Sequence, residues 1–506
     1  MHGIERGALY PGPARRRRSA IAAGSIGKSP PVPRNRERIA GAHLLGRRQR
    51  GDGAMQREWA AARFGFGAVA GEWPEPGDFA RRPAPAADGF PRVSTAAVLG
   101  EIDALGRARR ARNQGQAGAA EEFDRLRAGI IQGARAAARG SIAIAVAAGA
   151  HGPAADFHER LVWFWADHFT AAARRLRDQM LPAAFVDDAI RPHVTGPFRT
   201  LLRAAILHPA MLIYLDKQVS VGPGSRIGQR HGAGLNENLA RELLELHTLG
   251  VGSGYTQADV TELAELLTGL AVDRAEGTLF DPRRAEPGAE TVLGQQFGGD
   301  PARIEHIHAV LDALAARPET ARHIARKLAV HFVADTPDPG LVDRLAATFA
   351  DSGGDLGTVA AALAADPVAR DTPPAKVRRP FEVLVAGLRA LGLSGAEVME
   401  LRQQVANRHL LAPMAAMGQP WLAPAGPDGW PEEAEAWITP QRLAARIDWA
   451  MTAPAVLVPE LPDPREMAVA ALGGLAAGTL AFAVGGAEVR SEGIGLVLAA
   501  PAFNRR

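Results

Sequence analysis

Between Asn236 and Val272 the chain reads NENLARELLELHTLGVGSGYTQADVTELAELLTGLAV, a pattern that admits one local solution, two helices joined by a glycine turn. Leu239, Leu243 and Leu246 recur at helical spacing, with Ala240, Leu244 and His247 beside them. Asn236 stands where its side-chain oxygen can accept from an orphan amide of the first turn. The opposite face carries Asn238, Arg241, Glu242 and Glu245. Arg241 lies four residues from both Glu237 and Glu245, pairings worth only about 0.2–0.5 kcal/mol each on an exposed surface. Gly250 and Gly252 supply the left-handed positions that end this helix. Thr256 with Asp259 opens the second through a capping box. Val260, Leu263, Ala264 and Leu267 form its apolar stripe, and Gly269 stops it.

This hairpin resembles one in a large bacterial family, the uncharacterised domain of unknown function 1800 (DUF1800). Members carry N-E-N-x-A-R-E-L-x-E-L-x-T-L-G-V, matched here from Asn236 to Val251, then Y-T-x-x-D-V at Tyr255–Val260 and L-T-G at Leu267–Gly269. Further matches are Phe164, Trp165, His168 and Phe169 to F-W-x-x-H-F, and Thr320–Val333 to T-A-R-x-I-A-x-K-L-x-x-x-F-V. Gly418-Gln419, Pro424 and Asp428–Pro431 resemble G-Q-x-x-x-x-P-x-x-x-G-W-P, with one residue more between Pro424 and Gly429 than the pattern has. The resemblance runs from about Trp59 to Phe503. It implies a mainly α fold, a large multi-helix single unit, with no known activity attached. Relatives often bear export signals and are often encoded beside a second family resembling alkaline phosphatases. That association implies an envelope-related accessory role with such a protein as partner. One departure is local: Ala285 and Glu290 stand where members often have His and Lys.

Composition narrows the classes. With 47% hydrophobic residues among 506 the chain can bury a large core, and with no cysteine it has neither disulfides nor thiolate sites. Residues 1–54 contain 12 Lys/Arg and 3 Asp/Glu, a balance of +9, so residues 55–506 carry 3 − 9 = −6. A nucleic-acid footprint requires a basic stripe on the folded part, and none is expected. Residues 1–54 read as a disordered basic leader, with Met55 as an alternative true start. Arg15–Arg18 before SAIAAGSIG resembles an export signal. As numbered the chain reads as cytoplasmic, with periplasmic export as the alternative. Met467–Ala487 is uncharged, but Gly473-Gly474 and Gly478 break it into two short helices, so no membrane span is expected. Leu270–Asp273, Thr278–Asp281 and Thr291–Leu293 read as strands of a small antiparallel β appendage near 270–298, and Val219–Gly234 as a glycine-rich loop, a lid or an ordinary connection.

No P-loop, G-x-G-x-x-G, H-E-x-x-H or G-x-S-x-G occurs. The polar residues that remain are Asn236, Glu237, Asn238, Arg241, Glu242 and Glu245 on the hairpin, with Asp167 and His168 on the tryptophan-rich segment. Glu242, Glu245, His168 and Asp167 have the chemistry of a general acid and base, or of a site for a divalent metal, and define a metal-assisted hydrolase reading. Against it stands a structural one, in which Glu242 and Arg241 form a buried ion pair and His168 bonds a helix end. Trp163, Trp165, Trp421, Trp430 and Trp437 are candidates for the floor of a carbohydrate or peptide groove, with Trp430 and Gln419 in a Pro/Gly loop as binding residues; Trp163 and Trp165, at helical spacing, read rather as core. The pairs His306/His308 and His323/His331 lack a convincing coordination set. A binding or accessory role, with no cofactor, is the preferred reading, and the hydrolase the alternative.

Overall fold

The hairpin folds as its pattern requires, with modifications to its first arm. In the computed structural model, which describes residues 52–68, 74–79, 81–85, 89–231 and 234–506, its first arm is α-helical over Asn238–Glu242 and then π-helical over Leu243–His247. The N-cap is Glu237, which makes no side-chain cap bond, and not Asn236 as expected; Asn236, one residue earlier, still accepts from the Asn238 amide through Oδ1 at 2.8 Å. Thr248 Oγ1 closes the arm on the Leu243 carbonyl at 2.6 Å. Gly250 turns the chain at φ +91°, and a β-carbon there would lie 2.7 Å from His323 Nδ1. Backbone conformation and close approach thus both demand glycine. The second arm, Gln257–Leu266, opens on the expected capping box. Leu239, Leu243, Leu244, Val260 and Leu263 are fully buried and place the hairpin in the core.

Around it the fold is mainly α. The tryptophan helix Pro153–His168, the helix Pro318–Phe332 and the helix Pro339–Asp351 pack in one apolar cluster with the hairpin. A second cluster gathers part of the long helix Ala119–Ala148, the helix Pro380–Ala390 and the chain's last helices. Residues 51–506 form one compact unit. The leader expected over residues 1–54 lies, up to residue 51, outside the described residues.

The β appendage is two separate antiparallel hairpins. β1 (Leu270–Asp273) pairs with β2 (Gly277–Phe280), and β3 (Gly288–Val292) with β4 (Gln295–Gly299). β3 starts earlier than its sequence suggests, and β4 is an addition. Its QQFGG carries one buried apolar side chain, Phe297, and so lacks the alternation that marks a strand. The glycine-rich loop is tied down: Glu286 accepts from the Gly224 amide at 2.8 Å, and Arg284 reaches the Gln218 carbonyl at 2.7 Å. Met467–Ala487 breaks at its glycines into short helices. Among the described residues no helix is long and apolar enough to cross a membrane.

Candidate functional site

The tryptophan helix serves two environments. Leu161, Trp165 and His168 are at most 2% exposed and face the core. Trp163 and Asp167 lie on another face and line a narrow cleft of about 60 Å³ where the two apolar clusters meet. The start of the Pro380–Ala390 helix adjoins it, the Phe381 ring packing on that of Trp163 with centroids 4.5 Å apart. The segment 418–431 also lines it, with Gln419, Trp421 and Trp430.

Asp167 holds this arrangement together. It accepts from Arg379 Nη1 at 2.7 Å and from the Trp430 amide at 2.8 Å. Gly429, at φ +84°, lets the loop approach so closely that a β-carbon would sit 2.5 Å from Asp167 Oδ1. Gln419 Oε1 accepts from the Phe381 amide at 2.8 Å, satisfying an orphan donor at that helix start. Burial holds the Asp167 carboxyl above its ordinary range in spite of Arg379.

Behind the cleft lies a buried charge network. Glu382 pairs with Arg160, and with Arg506 at 2.7 Å. Glu432 takes His331 at 2.7 Å, Arg379 at 2.9 Å and Lys376 at 3.0 Å. Burial alone would raise both carboxyl pKa values; the guanidinium groups beside them win and hold both well below normal. Burial likewise pushes His331 down to about 3, so it is neutral at pH 7. Arg160, Arg379, Glu382 and Glu432 were missed by sequence reasoning, and His331 was paired there with His323 and not with Glu432, because their partners are far away in the chain. One local signal existed: Glu382 follows Arg379 by three residues at a Pro-initiated helix and accepts from the Arg379 amide at 3.0 Å.

The hydrolase set is not assembled. His168 is buried and donates from Nε2 to the His247 carbonyl at 3.2 Å, the helix-end bond that the structural reading expected. It makes no hydrogen bond to Glu242 or Glu245. Glu242 is half-buried and forms neither hydrogen bond nor ion pair with any described residue; burial, then Glu245 and Asp428, raise its pKa. The Glu242–Arg241 ion pair is absent too. Arg241 turns instead to Glu237 at 3.2 Å and Glu245 at 3.5 Å, because those lie one turn away on its own face. Glu237 also accepts from Gln257 and Thr261, both at 2.9 Å, and so bolts the hairpin arms together. Asn236 reaches the Asp216 carbonyl at 3.3 Å, and Asn238 is exposed. Among the described residues no three His, Cys, Asp or Glu are grouped to hold a metal ion. Trp165 and Trp437 belong to the core, each 1% exposed.

Of the binding candidates, the structure brings Gln419 and Trp430 together at one cleft, with Trp163, Trp421 and Asp167, the last a member of the catalytic set. Asn236, Glu237, Asn238 and Arg241 belong to the hairpin's own scaffolding and surface. Neither a curated protein nor a solved structure matches the chain. The family described as "Protein of unknown function (DUF1800)" matches residues 60–505. That span covers nearly all of the chain, which therefore belongs to the DUF1800 family.

Proposed function

We propose that the protein is a binding protein whose cleft between the tryptophan helix, the Pro380–Ala390 helix and residues 418–431 takes a saccharide. One observation carries this reading: Trp163, Trp421 and Trp430 converge on a single cleft that also presents Asp167, Arg379 and Gln419. Indole faces stack on the apolar faces of a sugar ring, and flanking carboxylate, guanidinium and amide groups suit its hydroxyls. Titration of the protein with neutral and acidic oligosaccharides, followed by tryptophan fluorescence, tests it. Trp430→Ala is expected to weaken binding by about tenfold, some 1.4 kcal/mol, with little change in melting temperature. Absence of any saccharide-dependent signal up to millimolar concentration overturns it. An accessory role beside an alkaline-phosphatase-like partner is compatible with this reading.

A hydrolase is the second reading, and Glu242 alone favours it. An unpartnered carboxyl whose pKa is raised by burial, then by Glu245 and Asp428, has the attributes of a general acid. Hydrolysis of a bound oligosaccharide that Glu242→Gln abolishes in a folded protein would select it. A divalent metal enters that reading only if elemental analysis of protein purified without chelator finds one.

A further inference from the structure

Residues 55–506 are net acidic, yet one groove of about 500 Å³ gathers six arginines. It lies where the helix Thr95–Asn113, the long helix Ala119–Ala148, residues 175–177 and the β1–β2 turn come together. Arg109 and Arg110 come from the first element, Arg127 from the second, Arg175 and Arg177 from the third, and Arg274 from the fourth. No aspartate or glutamate is among the described residues that line it. Its apolar lining comes from Ile102, Leu105 and Phe123, and the Arg112 guanidinium carbon lies 4.0 Å from the centre of the Phe123 ring.

Two of these cations have carboxylate partners, Arg177 with Asp178 at 3.3 Å and Arg274 with Asp103 at 3.1 Å. Arg109, Arg110, Arg127 and Arg175 are exposed, and their guanidinium groups form no hydrogen bond or ion pair with any described residue. A cation in the last turn of a helix complements the dipole there, which accounts for Arg110. It does not account for Arg127 or Arg175, which reach the same groove from other elements. Gly106 shows how closely the groups are brought in: a β-carbon there would have Arg274 Nη1 at 3.1 Å and Arg110 Nη1 at 3.7 Å. Like charges gathered in one concavity repel, and the walls focus their field on whatever anion enters.

We propose that this groove binds a phosphate monoester that carries an apolar substituent. Near neutral pH a monoester has nearly two negative charges and three acceptor oxygens, enough to engage several guanidinium forks together. A carboxylate, with one charge and two oxygens, leaves most of them unmatched. The substituent lies against Ile102, Leu105 and Phe123. The volume suits a small molecule or a headgroup, whereas a nucleic-acid backbone calls for a basic stripe extending beyond one pocket. A soluble phosphorylated metabolite and the headgroup of a phosphatidate lipid offer the same chemistry.

Isothermal titration of the full chain with hexyl phosphate, inorganic phosphate and hexanol tests the proposal. Hexyl phosphate is expected to bind about tenfold more tightly than inorganic phosphate, and hexanol not at all. Arg127→Gln combined with Arg175→Gln is expected to weaken hexyl phosphate by about tenfold and to melt like the parent, since neither side chain holds a partner. Equal affinity for hexyl phosphate and hexanol, no gain over inorganic phosphate, or binding unchanged in the folded double variant overturns the proposal. A single-stranded or duplex oligonucleotide that binds more tightly than hexyl phosphate overturns it in favour of a nucleic-acid surface. The parent's preferences among the three probes decide the matter even where the variant fails to fold. Co-sedimentation with phosphatidylcholine vesicles containing phosphatidate marks a lipid as the source, and displacement of hexyl phosphate by glycerol 3-phosphate marks a soluble ester. The groove shares no residue with the tryptophan cleft, so the saccharide titration and this one fail independently.

Discussion

His168 and His247 each reach the other's backbone: His168 Nε2 donates to the His247 carbonyl at 3.2 Å, and His247 Nδ1 donates to the His168 carbonyl at 3.1 Å. A carbonyl only accepts, so both ring tautomers are set, and Nδ1 of His168 and Nε2 of His247 are left as buried lone pairs. The bonds cross-link the C-terminal end of the tryptophan helix to the π-helical end of the hairpin arm, two helix ends whose last carbonyls need partners.

Protonating either ring puts an unpaired charge inside the core, and stability in acid follows from that. Burial depresses His247 from 6.5 to about 3, and His323 to about 4. Between those values and 6.5 only the unfolded chain binds the proton, so stability is full above pH 6.5 and falls as the pH drops. For His247 alone the loss at pH 4 is about 3 kcal/mol at about 1.4 kcal/mol per unit. Urea melts at pH 7 and pH 4 measure it, and His247→Gln is expected to flatten the difference.

Glu242 behaves oppositely to a structural ion-pair member. With no partner to lose and a carboxyl already disfavoured by Glu245 and Asp428, Glu242→Gln is expected to shift stability by no more than about 0.5 kcal/mol. Glu432→Gln, which strips His331, Arg379 and Lys376 of a shared anion, is expected to cost about 3–5 kcal/mol. Thermal melts of the two variants side by side separate the cases; equal losses contradict the assignment.

The contrast shows where sequence reasoning reached and where it stopped. The glycine at 250 and the capping box at Thr256 are decided within a few residues, so they were legible. The site was legible only in part. Asp167 and His168 are neighbours in the chain but point to different sides of one helix, His168 into the core and Asp167 into the cleft. Grouping Asp167 and His168 in one site ran against that rotation of about 100° per residue. Arg160, Glu382 and Arg506 meet only in three dimensions, and no local spacing announces them.

Asp167→Asn probes the joint itself. The amide retains an acceptor for the Trp430 N–H but no charge for Arg379, which is left buried with one carboxylate partner fewer. The expected cost is about 3 kcal/mol. Loosening should concentrate in residues 418–431, read as faster amide exchange at Trp430 and easier acrylamide quenching of its indole. A variant as stable and as protected as the parent would deny Asp167 this role.

Glu290 supplies the last expectation, at the position where relatives resembling this chain often carry lysine. It is 9% exposed on β3, against the hairpin's second arm, among Glu262, Glu265 and Glu286. Burial, a hydrogen bond to Glu262 and the neighbouring carboxylates push its pKa up to about 7. The folded state therefore holds a proton that the unfolded chain releases near pH 4.5, and stability is lost as the pH rises from about 4.5 to 7. A lysine there turns each repulsion into attraction. Glu290→Lys is expected to gain about 1 kcal/mol at pH 8, discounted for partial exposure, and less at pH 5, where the parent's carboxyl is already protonated. Denaturant melts of both proteins at the two pH values give the sign. A variant less stable at pH 8 would mean that packing around β3, and not charge, sets the choice of residue.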